Sequence, residues 1–343
     1  MQELRRFDFA HKSMGVEFRI VLFAGSAEKA QEASDSAFRR IDRLDRMLSH
    51  YKEDSEISRL VRQGGEGKQV PVSHELWYLL QWAQTYSEAS GGAFDVTVGP
   101  LTELWRKARM LGRLPSDADL QAALQRVGYD KVSLGAGRDY YVILDRHDMA
   151  LDLGGIAKGY AVDQALAVLR AQGIDRALVD GSGDIAVWDP PPDKAGWTIA
   201  VSPTGERETR YLSMCRGAIA TSGDSYGRVV IDGKRYSHIV DPRTGMGLVD
   251  SAAVSVLAPD CRQADALATV VSVMGAAEGI EVLKGFPDTG VIIHRKESSD
   301  PAKETQELQY PKDLGQLPFV VPQDREPGAT GAGAPEANVE TSK

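Results

Sequence analysis

The chain is 343 residues long, 42% apolar and 26% charged, a globular balance that excludes a collagenous, fibrous or wholly disordered polymer. Its formal charge of −9 speaks against general nucleic-acid binding, since a protein living on phosphate backbones is normally basic. Two cysteines, Cys215 and Cys261, are too few for a disulfide scaffold and form no Cys-x-x-Cys pair. At roughly 150 residues per domain the length fits about two domains or one large one. The start holds Arg5-Arg6 but no apolar stretch of the length a secretory signal needs, and no window approaches a membrane span. As written, the chain is expected to be cytoplasmic, with no membrane span.

In chain order, the first predicted element is a strand over 18–23. A helix follows, in which Ala30, Ala33, Ala37, Ile41, Leu44 and Leu48 recur at three and four residues. A second helix runs over 74–88, with Leu76, Leu79, Leu80 and Ala83 inward, and Gly91-Gly92 stops it. A polar connector at 114–119 opens a short helix, and 141–144 is a strand. Leu151-Asp-Leu-Gly-Gly155 reads as a strand and a glycine turn feeding a helix that holds Ile156, Tyr160, Ala161, Ala165, Leu166 and Leu169. Further strands are predicted over 177–179, 185–188, 197–201, 228–231, 253–257 and 291–293, with one more helix over 263–274. Many strands adjacent in sequence with a few long helices favour α+β or mixed α/β over regular alternation. Beyond about Lys296 the composition turns polar. From Pro322 to Lys343 there is no aromatic residue, Leu or Ile, so this stretch is expected to be disordered.

Four clusters stand out, because folding alone rarely asks for them. In Ser90-Gly-Gly-Ala-Phe-Asp-Val-Thr-Val-Gly-Pro100 the glycines either end a helix while Phe94 plugs the core, or let the backbone approach a ligand beside Asp95. In Leu151-Asp-Leu-Gly-Gly-Ile-Ala-Lys-Gly-Tyr160 a helix N-terminus offers free N–H groups to an anion. Lys158 in its first turn is a cation where the helix dipole disfavours one, which suggests an anionic ligand.

The third cluster joins Ala220-Thr-Ser-Gly-Asp224 to the segment around Ser237-His-Ile-Val-Asp-Pro-Arg-Thr-Gly245. Asp232-Gly233 signals a two-residue hairpin that pairs Ile231 with Lys234. That register sets His238 level with Gly227, near the Thr221-Ser222-Gly223 loop. His238 is there either as a structural residue or as a general base. The other histidines (His11, His50, His74, His147, His294) read as surface or packing residues. In the fourth cluster, Gln263-Ala-Asp-Ala-Leu-Ala-Thr269, Asp265 and Thr269 share one helix face. They are hard oxygen donors suited to Mg²⁺, or else a dipole-stabilised Asp and a Thr bonding back to its own helix.

Together with Met14-Gly15 and Ser49-His-Tyr-Lys-Glu-Asp-Ser-Glu-Ile-Ser-Arg59, these clusters resemble the ApbE family, the FAD:protein FMN transferases, from about Met14 to about Ile293. The resemblance implies a two-lobed α+β fold with mixed sheets and packed helices, an FAD cleft between the lobes, one catalytic unit over 1–295 and a tail over 296–343. It implies that Met14 and Tyr51 pack against flavin or adenine rings, and that Ala93, Phe94, Asp95, Asp152 and Lys158 contact the dinucleotide. Asp265 and Thr269, joined by the Gly155 carbonyl, would hold Mg²⁺. His238 would take the proton from a Thr or Ser hydroxyl of an acceptor protein, with Asp241 as a second candidate. FMN would pass to that redox or electron-transfer partner and AMP would leave. A Mg²⁺-dependent FAD pyrophosphatase and a non-catalytic FAD-binding protein are the alternatives. Lys158, the metal and Arg243 would offset the charge of the substrate. Val16 stands where the family often has Thr, and relatives are often exported.

Overall fold

A computed structural model of the chain describes residues 3–201, 210–223, 228–249, 252–296 and 305–321. The chain opens with a hairpin of β1 (Arg5–Ser13) and β2 (Val16–Ala24), closed by Met14 and Gly15 at φ of 50° and 76°. Then come α1 (Ala27–Leu48), α2 (Glu56–Gln63), β3 (Gln69–Pro71), α3 (His74–Ala89), α4 (Gly99–Leu111), α5 (Asp117–Leu124), β4 (Val132–Ala136) and β5 (Tyr140–Leu144). Helix α6 (Ala157–Ala171) leads to β6 (Ala177–Asp180), β7 (Asp184–Val187), β8 (Trp197–Val201), β9 (Arg210–Met214), β10 (Gly217–Ser222), β11 (Val229–Ile231) and β12 (Lys234–Tyr236). The last elements are β13 (Ala252–Ala258), α7 (Cys261–Met274), α8 (Ala276–Leu283), β14 (Gly290–Lys296), β15 (Thr305–Tyr310) and β16 (Val320–Val321).

Eight strands form one sheet in the order β1-β2-β6-β7-β10-β13-β14-β15. Its neighbours pair antiparallel throughout, and so do the smaller ladders, so the expected mixed sheets are antiparallel sheets among the described residues. The central strands are covered on both faces. In β13, Val254 and Val256 join the core beneath the helices, while Leu257 faces a second core under the β16-β9-β8 sheet. This double coverage explains why β13 is apolar but for the buried Ser255, because each position lies against one side or the other.

The helix-side core gathers α1, α2, α3, α6, α7 and α8. A third, smaller core joins α4 and α5 to the β11–β12 hairpin through Leu101, Trp105, Ala123, Tyr236 and Val240. No described helix is long and apolar enough to cross a membrane.

The tail begins later than composition suggested. Residues 305–310 add a strand to the main sheet, and Leu314, Leu317, Phe319 and Val320 are buried in the second core. Residues 322–343 lie outside the described residues.

Helices α6 and α7 approach with their backbones nearly touching. A Cβ added at Gly159 would come within 2.3 Å of the Cys261 carbonyl oxygen and 2.8 Å of Asp265 Cβ. The two helices also cap each other. Asp163 of α6 accepts the Cys261 and Arg262 amides at 2.8 and 2.9 Å, and Asp265 of α7 accepts the Gly159 amide at 3.1 Å. Both pairings satisfy N–H groups that a helix start leaves open. Gly159→Ala is expected to cost about 3 kcal/mol through overpacking. Urea unfolding checks this as a lower midpoint with an unchanged slope, and an unshifted midpoint would show that the crossing can relax.

Candidate functional site

A cleft of about 880 Å³ opens beside the α6–α7 crossing, within the size range of small-molecule sites. One wall comes from the α1–α2 connection (His50, Tyr51) and the α3–α4 connection (Ala93, Phe94, Asp95). The floor holds Asp152, Gly155 and Lys158 from the turn into α6, with Asp265 and Thr269 from α7. The end of β10 (Thr221, Ser222, Gly223) and the segment after β12 (His238, Ile239, Val240) close the far side.

The three distant glycine and acid motifs meet at one point. A Cβ built on Gly155 would lie 3.1 Å from Thr269 Oγ1 and 3.2 Å from Phe94 Cε2. Asp152 shapes the turn by accepting the Gly154 amide at 2.8 Å, while its own amide donates to the Val96 carbonyl at 2.7 Å. Helix α6 starts without a side-chain cap. Its positive end instead meets the Asp265 carboxylate through Gly159.

Lys158 bonds to Asp184, which is 2% exposed, and its Nζ lies 4.0 Å from Asp265 Oδ1. Burial opposes the ammonium charge, but Asp265 and Asp184 more than offset it and hold the lysine above its ordinary pKa. Burial likewise pushes the Asp265 carboxyl up, helped by Asp184 and opposed by Lys158 and the Gly159 amide. The cation in the first turn of α6 therefore has an anion from the protein itself. The sequence reading missed Asp184. Its signal was an acid behind Gly181-Ser-Gly183, directly before an apolar strand.

Asp95 is buried and accepts both the amide and the hydroxyl of Thr97 at 2.7 Å. Burial raises its pKa and those bonds pull against it. Tyr51 is 70% exposed at the cleft mouth. Its ring sits 3.9 Å from that of His50, with the Arg106 guanidinium 5.6 Å from its centroid. His50, read from sequence as a surface or packing residue, thus lines the cleft, with Nδ1 3.5 Å from Asp152. Arg62, Arg106 and Arg109 line it too and were not anticipated.

The β11–β12 register pairs Ile231 with Lys234 as expected, and His238 faces the same cleft as Thr221, Ser222 and Gly223. Gly227 and Asp224 lie outside the described residues. Two expected site residues sit elsewhere. Met14 is at the hairpin tip packed on the main core, and Val16 lines the cleft instead. Asp241 lies behind the lining, with its carboxylate on the Nε and an Nη of Arg243 at 3.0 Å, so it braces the turn after His238. Arg243 is occupied by the same pair. The turn is also anchored by Trp105, whose Nε1 donates to the Gly245 carbonyl at 2.7 Å.

An antiparallel α+β body with an acid-, glycine- and arginine-lined cleft at a helix crossing is the class of protein these features define. The pattern of the ApbE family matches residues 14–293, and the chain belongs to that family. It is 31% identical to an FAD:protein FMN transferase of Treponema pallidum over 84% of each chain. It is 34% identical to one of Vibrio cholerae over 71% of this chain and 74% of that one. Among solved structures, the flavin transferase ApbE of Vibrio cholerae superposes with a TM-score of 0.78 at 27% identity, covering 90% of this chain and 97% of that one. The ApbE protein of Thermotoga maritima gives 0.74 at 30% identity, covering 85% and 97%.

Trp105→Phe keeps the ring but strands the Gly245 carbonyl. It is expected to cost about 1–3 kcal/mol. Amide exchange should rise first over 238–247; exchange that rises uniformly would show that Trp105 does not anchor this turn.

Proposed function

We propose that the protein transfers the FMN half of FAD to a Thr or Ser hydroxyl of an acceptor protein and releases AMP, with Mg²⁺ as cofactor. The observation that carries this reading is that Asp265, Thr269 and Gly155 converge at the floor of the cleft that also holds Tyr51, Phe94 and His238. Relatives named for this activity span most of the chain and support it.

The donor chemistry fits Mg²⁺. Asp265 gives a carboxylate, Thr269 a hydroxyl and Gly155 a backbone carbonyl, all hard oxygens. Among the described residues no three His, Cys, Asp or Glu side chains surround one point. The remaining positions would fall to phosphate and water, a shell that Mg²⁺ accepts. Bound there, Mg²⁺ would neutralise pyrophosphate charge and act as a Lewis acid.

The chain's own groups do the rest. Tyr51 offers an exposed ring for stacking, and Ala93, Phe94 and Asp95 form the wall against which the dinucleotide lies. Asp152 holds the glycine turn open, and Lys158 presents a permanent positive charge beside the phosphates. His238 takes the proton of the acceptor hydroxyl as its oxygen bonds to the FMN-side phosphorus. The bridging P–O bond then breaks, and AMP leaves with the bridging oxygen. Asp241 and Arg243 keep the His238 segment in place. Positioning and charge stabilisation supply most of the catalysis in such a transfer.

The test combines full-length protein, FAD, Mg²⁺ and candidate acceptors. Mass spectrometry should find an FMN-mass adduct on the acceptor and free AMP. No adduct on any acceptor, with AMP still released, would make the protein a pyrophosphatase. Asp265→Ala should cut AMP release about a thousandfold, the equivalent of several kcal/mol of lost stabilisation, while FAD affinity mostly survives. His238→Ala should slow transfer by about 10²–10⁴; an equal loss of FAD affinity would make His238 a binding residue.

A further inference from the structure

The cluster at the floor of the cleft contains a residue the proposed reaction does not use. Asp184 opens β7, and its carboxylate is almost wholly shielded from water. Its Oδ2 bonds Lys158 Nζ, and Lys158 also lies 4.0 Å from Asp265 Oδ1. One ammonium thus sits between two buried carboxylates and is drawn onto one of them.

The two oxygens of Asp265 differ. Oδ2 accepts the Gly159 amide at 3.1 Å, which commits it to the start of α6. Oδ1 is the oxygen that Lys158 approaches without bonding. In a buried site the attraction between ammonium and carboxylate rises as they close. If Asp184 lost its charge, Asp265 would be the remaining carboxylate within reach of Lys158. A change of lysine rotamer would carry the ammonium across the gap and onto Oδ1.

We propose that Asp184 is a positioning residue that holds Lys158 off Asp265 and so keeps Oδ1 of Asp265 available to a divalent cation. The inference rests on the reading of Asp265 as a metal ligand. It assigns Asp184 no contact with substrate or metal, and its effect passes wholly through Lys158. Two consequences follow. Neutralising Asp184 alone should weaken metal binding, because the freed ammonium competes for Oδ1. Removing the ammonium as well should restore it, although Asp184 is still absent. A residue that merely supports the fold would not show that rescue. The single replacement leaves Lys158 to pair with Asp265, whereas the double one leaves the Asp265 carboxylate with no ammonium beside it.

The experiment titrates Mn²⁺, as a spectroscopic stand-in for Mg²⁺, into full-length protein without FAD or acceptor, and reads free Mn²⁺ by electron paramagnetic resonance. Asp184→Asn should weaken binding about tenfold, as loss of an outer-shell partner does. Asp184→Asn combined with Lys158→Met should bring affinity back close to that of the wild type. Thermal melts confirm that each variant is folded. If the single variant does not fold, the double variant alone decides, because weakened Mn²⁺ binding there would mean that Asp184 acts other than through Lys158. A folded Asp184→Asn that binds like the wild type, or a double variant as weak as the single one, overturns the proposal. Wild-type protein that binds no Mn²⁺, or Asp265→Ala that binds it unchanged, overturns the metal site itself.

Discussion

Helix α6 crosses α7 at a distance that only glycine permits at position 159, and the rest of the site is arranged by that approach. Each helix supplies the carboxylate that caps the other. Because α6 begins at this crossing, the glycine turn before it is pressed against Thr269, and Lys158, one residue before Gly159, is held among acids. Two buried carboxylates share one lysine, so the floor of the cleft carries excess negative charge. A hard cation is the natural complement to such a floor, and a pyrophosphate is the natural complement to that cation.

The sheet is the support on which this crossing rests. Its central strands are buried on both faces, under helices on one side and a three-stranded sheet on the other. Helices α6 and α7 lie on that fixed surface. The wall opposite is lighter, a small core of α4, α5 and a hairpin, tied down by Trp105 and the Asp241–Arg243 pair. The charged floor and the wall bearing His238 thus rest on separate cores. The overall −9 charge is no bar to an anionic ligand, because Arg62, Arg106, Arg109 and Lys158 stand among the acids that line the cleft.

Much of this was legible in the sequence wherever local pattern and burial agree. Strand β13 reads as apolar but for Ser255 because both its faces are covered, and α1 reads at helical spacing because one face is. Strand β1 alternates Phe7 and Phe9 with polar residues on an exposed edge, so no run marks it. Helix α4 hides behind Gly99-Pro100, which reads as the end of a loop motif although proline suits a helix start. Strand direction leaves no trace in periodicity, so mixed sheets were expected where antiparallel ones form. Leu317-Pro-Phe-Val-Val321 is a short apolar cluster after a polar stretch, and the burial of Leu317, Phe319 and Val320 in the second core shows that the fold extends to it. In the site, the four-residue spacing put Asp265 and Thr269 on one helix face, and the family resemblance added Gly155; all three line the cleft. The partner of Lys158 could not be read, because Asp184 lies 26 residues away and meets it only through the packing of β7 beside α6.

The central claim is that the α6–α7 crossing is where a divalent cation and a dinucleotide phosphate meet. The most direct measurement is the anomalous diffraction of crystals grown with FAD and Mn²⁺. The expected result is a peak within bonding distance of the Asp265 carboxylate and the Thr269 hydroxyl, with the pyrophosphate beside it. FAD bound in the cleft with the Mn²⁺ peak elsewhere, or with no peak at Asp265, would contradict the account.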